Sequence, residues 1–297
     1  MASNYWDSTQ ARFWTFTKPQ LADMWRRLDE RNQGLVDRYP LPERRLLNIY
    51  FQRQLINLGK KFNTRQQILA TAQIYVRRFY TKVEIRKTNP YLVLATALYL
   101  ASKMEEGPQH IRLVVAEASR LWPEHALSEI SKLGEMEFHL ISTLNSHLIL
   151  HHPYRSLNDI APALQLTGEE HAVAHNVVND SYNTDLPLLY PPHVIAVTAM
   201  FLAVVLRSPA QVVQMHTPML SADALRGAMG SLGGGRPASP AKLAKMVDWL
   251  AESKVDMGAV VDCTQELISL YDLWENYSEK ACKEGIGRFM KGEKLDR

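Results

Sequence analysis

Two stretches of this chain repeat each other in one register. Ala72, Val76 and Tyr80 recur as Ala174, Val178 and Tyr182, and Pro90, Thr96, Ala97, Leu100 and Ala101 recur as Pro192, Thr198, Ala199, Leu202 and Ala203, every pair 102 residues apart. Chance matches do not hold one register across two helices and the connector between them. The chain therefore reads as a tandem duplication of one helical unit. Almost no segment alternates polar and apolar with period two, so the expected fold class is all-α.

Each copy is organised around one helix. In the first it is Asn89–Glu106, NPYLVLATALYLASKMEE. Asn89 suits the N-cap, and Pro90 suits the first helical position, where a missing N–H costs nothing. From Tyr91 to Ala101 the residues are apolar or small on every side, so the helix must be surrounded by others. The run is well short of the ~20 residues a membrane span needs. Its twin is expected at Val194–Leu206, after Pro191-Pro192. The twins differ at one telling position: Lys103 ends the first helix where Val205 ends the second. A cation there needs a partner or an exit to water, and packing alone is served by either residue. A functional surface on the first copy is the economical reading.

Further helices follow from spacing. Leu46, Leu47, Tyr50, Phe51, Leu55 and Leu58 mark one from Pro42 to about Phe62. Thr64-Arg-Gln-Gln67 and Thr167-Gly-Glu-Glu170 match capping boxes opening the next helix of each copy. Others are expected at about 110–121, 127–144, 241–252 and 260–277, with a break at His151–Arg155. The organisation is a helical arm at 1–42, a first five-helix unit at 43–148, and a second at 149–277. A low-complexity insertion at about 208–240, ending SLGGGRPASP, interrupts the second unit. Residues 278–297 read as a charged tail that frays. Trp6, Phe13, Trp14 and Phe16 are too dense an aromatic group for a disordered segment, so the arm should dock, with Trp6 the first candidate to face a partner.

Composition excludes several classes. The net charge of +3 is too small to argue for nucleic acid, and two cysteines rule out a disulfide scaffold or a four-cysteine ribbon. No secretory signal is visible at the N-terminus. His151-His152 has no cysteine or acidic companion at ligand spacing, and His171 with His175 reads as a solvated face, so no metal site is expected. No phosphate loop, nucleophile elbow or H-E-x-x-H motif occurs. The chain is expected to be no enzyme and to need no cofactor.

The repeated five-helix unit whose third helix ends in LASKMEE resembles the cyclin box. Asn4-Tyr-Trp-Asp-Ser8, Gln73–Tyr80, His152-Pro-Tyr-Arg155 and Val178–Pro192 extend the likeness in order. They are similar to the transcriptional cyclins of Mediator's kinase module, in a form like the fungal ones. The resemblance covers nearly the whole chain outside 208–240 and the tail. It implies a nuclear regulatory subunit that binds a cyclin-dependent kinase and other kinase-module subunits, with no direct nucleic acid and no membrane contact. The family's lysine at the end of helix three falls on Lys103, and its helix-five glutamate on Glu137. Apolar contacts to the kinase fall on Leu100, Met104, Phe138, Ile141 and Leu148. A groove for a Mediator subunit would draw on Trp6, Asn179, Asp180 and Tyr271. The substrate-docking patch of cell-cycle cyclins is absent from Glu43–Tyr50. Two rival readings remain: a cyclin-fold general transcription factor, and a scaffold that docks without acting on a kinase.

Overall fold

The computed structural model describes residues 4–125, 127, 129–205 and 240–295, and among these the fold is all-α, with no strand. The chain divides into two compact units, 1–150 with 278–297, and 151–277.

Among the described residues the helical arm of the first unit is built from four elements. A 3-10 turn, Tyr5–Asp7, leads into α1 (Thr9–Phe13), α2 (Lys18–Arg31) and α3 (Gln33–Arg38). Side chains close the exposed amides at the starts of the 3-10 turn, α1 and α2, whereas α3 starts without one. Ser8 Oγ accepts from Ala11 N, and Thr17 and Gln20 form a complete capping box. Trp14, Leu21 and Leu28 are buried, so the arm docks as expected.

Five helices follow: α4 (Arg44–Lys60), α5 (Gln66–Tyr80), α6 (Pro90–Met104), α7 (Ile111–Leu121) and α8 (Ile130–Thr143). The expected cap of α6 is present, with Asn89 Oδ1 accepting from Tyr91 N and Leu92 N at 3.0 and 3.3 Å. α4, α5, α7 and α8 all pack on α6, which answers its all-round apolar surface. The capping box expected at Thr64 does not form. Asn63 turns the chain through φ 49°, and Thr64 N instead donates to Gly59 O, closing α4. Thr64 therefore belongs to the end of one helix rather than the start of the next, and Arg65 takes the N-cap of α5 without a side-chain bond.

The second unit comprises α9 (Pro153–Ile160), α10 (Gly168–Ser181), α11 (Leu186–Leu189), α12 (Pro192–Val205), α13 (Pro240–Glu252) and α14 (Met257–Glu275). The break expected at His151–Arg155 is where α9 begins, with Pro153 at its first position and Leu157 buried. The Thr167 capping box is complete. α10 and α12 begin 102 residues after α5 and α6. All eight repeated pairs named above are buried in both copies. The insertion read at 208–240 lies outside the described residues, save Pro240 at the start of α13.

The tail does not fray. It forms α15 (Glu279–Gly292), which packs on α4 in the first unit. Cys282, Ile286, Phe289 and Met290 are buried at helical spacing beneath a charged outer face. Gly292 allows a close approach, since a Cβ there would run into the Tyr39 ring and hydroxyl.

Candidate functional site

Lys103 lies in the last turn of α6, where a cation favours the helix dipole. The helix ends one residue later at Met104, and Glu106 turns the chain away with φ 53°. Just before it, Ser102 is buried and donates to Tyr99 O, so the core ends there and Lys103 emerges. Its Nζ lies 4.5 Å from the centre of the Tyr99 ring and pairs with Glu137 Oε1 of α8. The Lys103 side chain is 38% exposed and that of Glu137 is 14% exposed. Among the described residues no group besides this ammonium reaches Glu137 Oε1. The pair thus shows its ammonium to solvent and holds its carboxylate half inside.

An apolar surface surrounds it. α8 is apolar on two faces. Leu133 and Leu140 turn into the core, while Ile130, Gly134, Glu137, Phe138 and Ile141 share a neighbouring stripe. Phe138 is 77% exposed, and Ile130 and Met104 are exposed as well. Ile141 and Leu148 are half-buried. Nothing lies within 4 Å of a Cβ built on Gly134. Leu100 does not join this surface: at 2% exposure it is core, one turn before Lys103 on the inner side of α6.

The chain leaving α8 is held by residues that spacing did not single out. Asn145 and Ser146 take positive φ, 53° and 58°, and swing the chain back along α5. Lys82 Nζ donates to Thr143 O at 2.8 Å, Arg78 Nη1 to His147 O at 3.0 Å, and Tyr75 OH to Leu148 O at 2.6 Å. Trp14 Nε1 donates to His147 Nδ1 at 3.0 Å. The Arg78 guanidinium is buried 4.7 Å from the Trp14 ring, paired with no carboxylate among the described residues, and burial lowers its pKa to about 9. Only the aromatic density of the arm hinted at this cluster.

The second group of expected residues is placed differently. Asp180, in the last turn of α10, accepts from Tyr271 OH of α14 at 2.9 Å, and both side chains are buried. Asn179 is half-buried and accepts from Tyr154 OH at 2.8 Å. Trp6 belongs to the first unit and is exposed. Burial raises the Asp180 pKa from 3.8 to about 7, against the opposing pull of the Tyr271 hydrogen bond. Neither Asp180 nor Tyr271 offers an atom to solvent here.

Among the described residues no three histidine, cysteine or acidic side chains gather as metal ligands. His152 bonds to Tyr182 OH, His171 to Asn158 and His175 to Asn179. Nor is any described helix long and apolar enough to cross a membrane.

Comparison with known proteins agrees with this architecture. The cyclin N-terminal domain model matches residues 33–149. The chain is 57% identical over 304 residues to an Aspergillus oryzae protein named RNA polymerase II holoenzyme cyclin-like subunit, covering all of both chains. An Aspergillus terreus protein of the same name is 56% identical over 305 residues, again end to end. A chain of the CAK complex of Chaetomium thermophilum bound to ATP-gamma-S has the same fold. It shows a TM-score of 0.64 at 19% identity, over 99% of this chain and 88% of that one.

Proposed function

This chain belongs to the family of fungal cyclin-like subunits, and from that premise we propose that it is the non-catalytic regulatory subunit of a cyclin-dependent kinase. The kinase is that of Mediator's detachable module, the cyclin is of the C type, and the complex acts in the nucleus on RNA polymerase II transcription. The observation that carries the reading is the Lys103–Glu137 pair, ringed by Met104, Phe138 and Ile141 on the first repeat and replaced by Val205 on its twin.

The mechanism follows from what a kinase needs. Phosphoryl transfer requires an ion pair between a strand lysine and a glutamate of helix αC. A lone cyclin-dependent kinase holds αC outward. A partner that binds the inward state better shifts the equilibrium by that difference in affinity and no more. Phe138, Met104, Ile141 and Leu148 supply apolar contact to αC. The half-exposed ammonium of Lys103, oriented by Glu137, is free to donate to backbone carbonyls at its end. Leu100 supports this face from the core. Trp6 and the half-buried Asn179 are read as contacts for further module subunits, each from its own unit. Asp180 and Tyr271 brace the second unit from inside.

Peptide phosphorylation by the module's kinase, with and without this chain, tests the reading. Stimulation is expected. A kinase that binds the chain with unchanged activity would favour the scaffold. Gly134→Ala gives a sharper check of the face. It should stabilise the free chain by about 0.5–1 kcal/mol, since a mid-helix glycine costs that much and the methyl meets nothing. It should also weaken kinase binding, because the same methyl would stand between two packed helices. Greater stability in a urea melt with undiminished affinity would move the interface off this stripe of α8.

A further inference from the structure

Resting on that kinase-binding reading, we propose that the interface continues past α8 onto a second apolar patch, built jointly by the N-terminal arm and residues 147–149. This patch would take one apolar side chain of the kinase with a carboxylate beside it. Phe13 stacks on the His147 ring, centroids 5.0 Å apart and planes 16° from parallel. Phe13 is 57% exposed and Ile149, two residues beyond His147, is 62% exposed. Two large apolar side chains are thus left bare, one stacked on His147 and one two residues along the chain from it, and such surface marks a contact site.

The patch is held in place from several sides. Tyr75, Arg78 and Lys82 of α5 fix the carbonyls of Leu148, His147 and Thr143, and Trp14 of the arm fixes the His147 ring. Trp14 can donate only if His147 Nδ1 carries no proton, which sets the imidazole tautomer. The backbone runs unbroken from Thr143, the last residue of α8, to Ile149, so a helix lying along Phe138 and Ile141 would meet this patch next. The arm's Asp7 is matched by Arg12, which leaves Lys82 and Arg78 as the excess charge. The ammonium of Lys82 sits 4.7 Å from the Trp14 ring, and among the described residues no carboxylate pairs with it or with Arg78. An acidic residue flanking the incoming apolar side chain is the complement of that field.

The test measures the affinity of the module's kinase for the full chain, as wild type, as the double variant Phe13→Ala/Ile149→Ala, and as Glu137→Ala. Both surface side chains are exposed, so the double variant is expected to melt like wild type. It should bind the kinase at least about tenfold more weakly, as truncation of apolar anchors does. The affinity of the wild type should also fall with salt more steeply than that of Lys82→Ala. If the double variant binds at full strength while Glu137→Ala does not, the interface ends at α8 and the proposal fails alone. If Glu137→Ala binds at full strength too, the kinase-binding reading fails and takes this one with it. If the double variant loses binding only in proportion to a lowered melting temperature, the patch is structural and the proposal is wrong. Loss of a different module subunit with kinase affinity intact also overturns it.

Discussion

Glu137→Ala should abolish most kinase activation and cost the free chain less stability than Lys103→Ala. The two results together separate a working ion pair from a merely structural one. The asymmetry comes from burial. Removing Lys103 strands a carboxylate whose side chain is only 14% exposed, while removing Glu137 leaves an ammonium that is 38% exposed and can turn to water over the Tyr99 ring. A fully buried pair broken from one side loses about 3–5 kcal/mol. Solvent screening at Lys103 reduces that to roughly 1–2 kcal/mol for Lys103→Ala, and to under about 1 kcal/mol for Glu137→Ala. Function runs the other way. Without Glu137 the ammonium has no fixed direction, and its hydrogen bonds to the kinase must be formed from a disordered side chain. About 2 kcal/mol of lost contact means about a thirtyfold weaker bias toward the inward αC. Urea melts of the free chain and radiolabel transfer to a peptide check both halves. A double variant that activates as well as wild type would sink the idea, because the pair would then be dispensable.

What the sequence made legible was local or repeated. α6 and α12 could be read because an all-round apolar stretch opened by Asn-Pro or Pro-Pro has few alternatives. Their register could be read because two copies constrain each other. Lys103 stood out only against Val205, so the duplication exposed the site as well as the fold. What stayed hidden depended on long-range contact. Trp14 and His147 are 133 positions apart, and nothing in either segment announces the other. The tail misled through composition: its charged residues lie on one face of α15, and the buried stripe of Cys282, Ile286, Phe289 and Met290 is diluted among them. Thr64 misled through a motif. T-x-x-Q satisfies the capping pattern, but the left-handed turn at Asn63 spends Thr64 on the previous helix. Leu100 came from the resemblance and not from spacing, and three residues before Lys103 it falls inside the core.

Asp180→Asn should reverse its effect on stability with pH. In the folded chain burial raises the Asp180 pKa from 3.8 to about 7, with Tyr271 donating to its Oδ2. An acid near the C-terminal end of α10 is disfavoured by the helix dipole in the same direction. Because the folded pKa is the raised one, the group's contribution to stability is fully present below about pH 3.8. It is lost progressively as pH rises to about 7, and above that the buried carboxylate is a constant burden. Over that interval the loss is on the order of a few kcal/mol. Asparagine keeps an oxygen for Tyr271 and carries no charge, but it buries an NH2 that costs about 1–3 kcal/mol unless it finds an acceptor. Wild type should therefore be the more stable at about pH 4, and the variant at about pH 8, by roughly 1–3 kcal/mol each way. Tyr271→Phe should carry the decline on to higher pH, since the Tyr271 hydrogen bond holds the carboxyl's pKa down and its loss lets burial raise it further. Hydrogen exchange at α10 and α14 reads the second unit directly. If the curves of wild type and Asp180→Asn run parallel from acid to base, Asp180 is ionised throughout and the second unit has some other means of holding its charge.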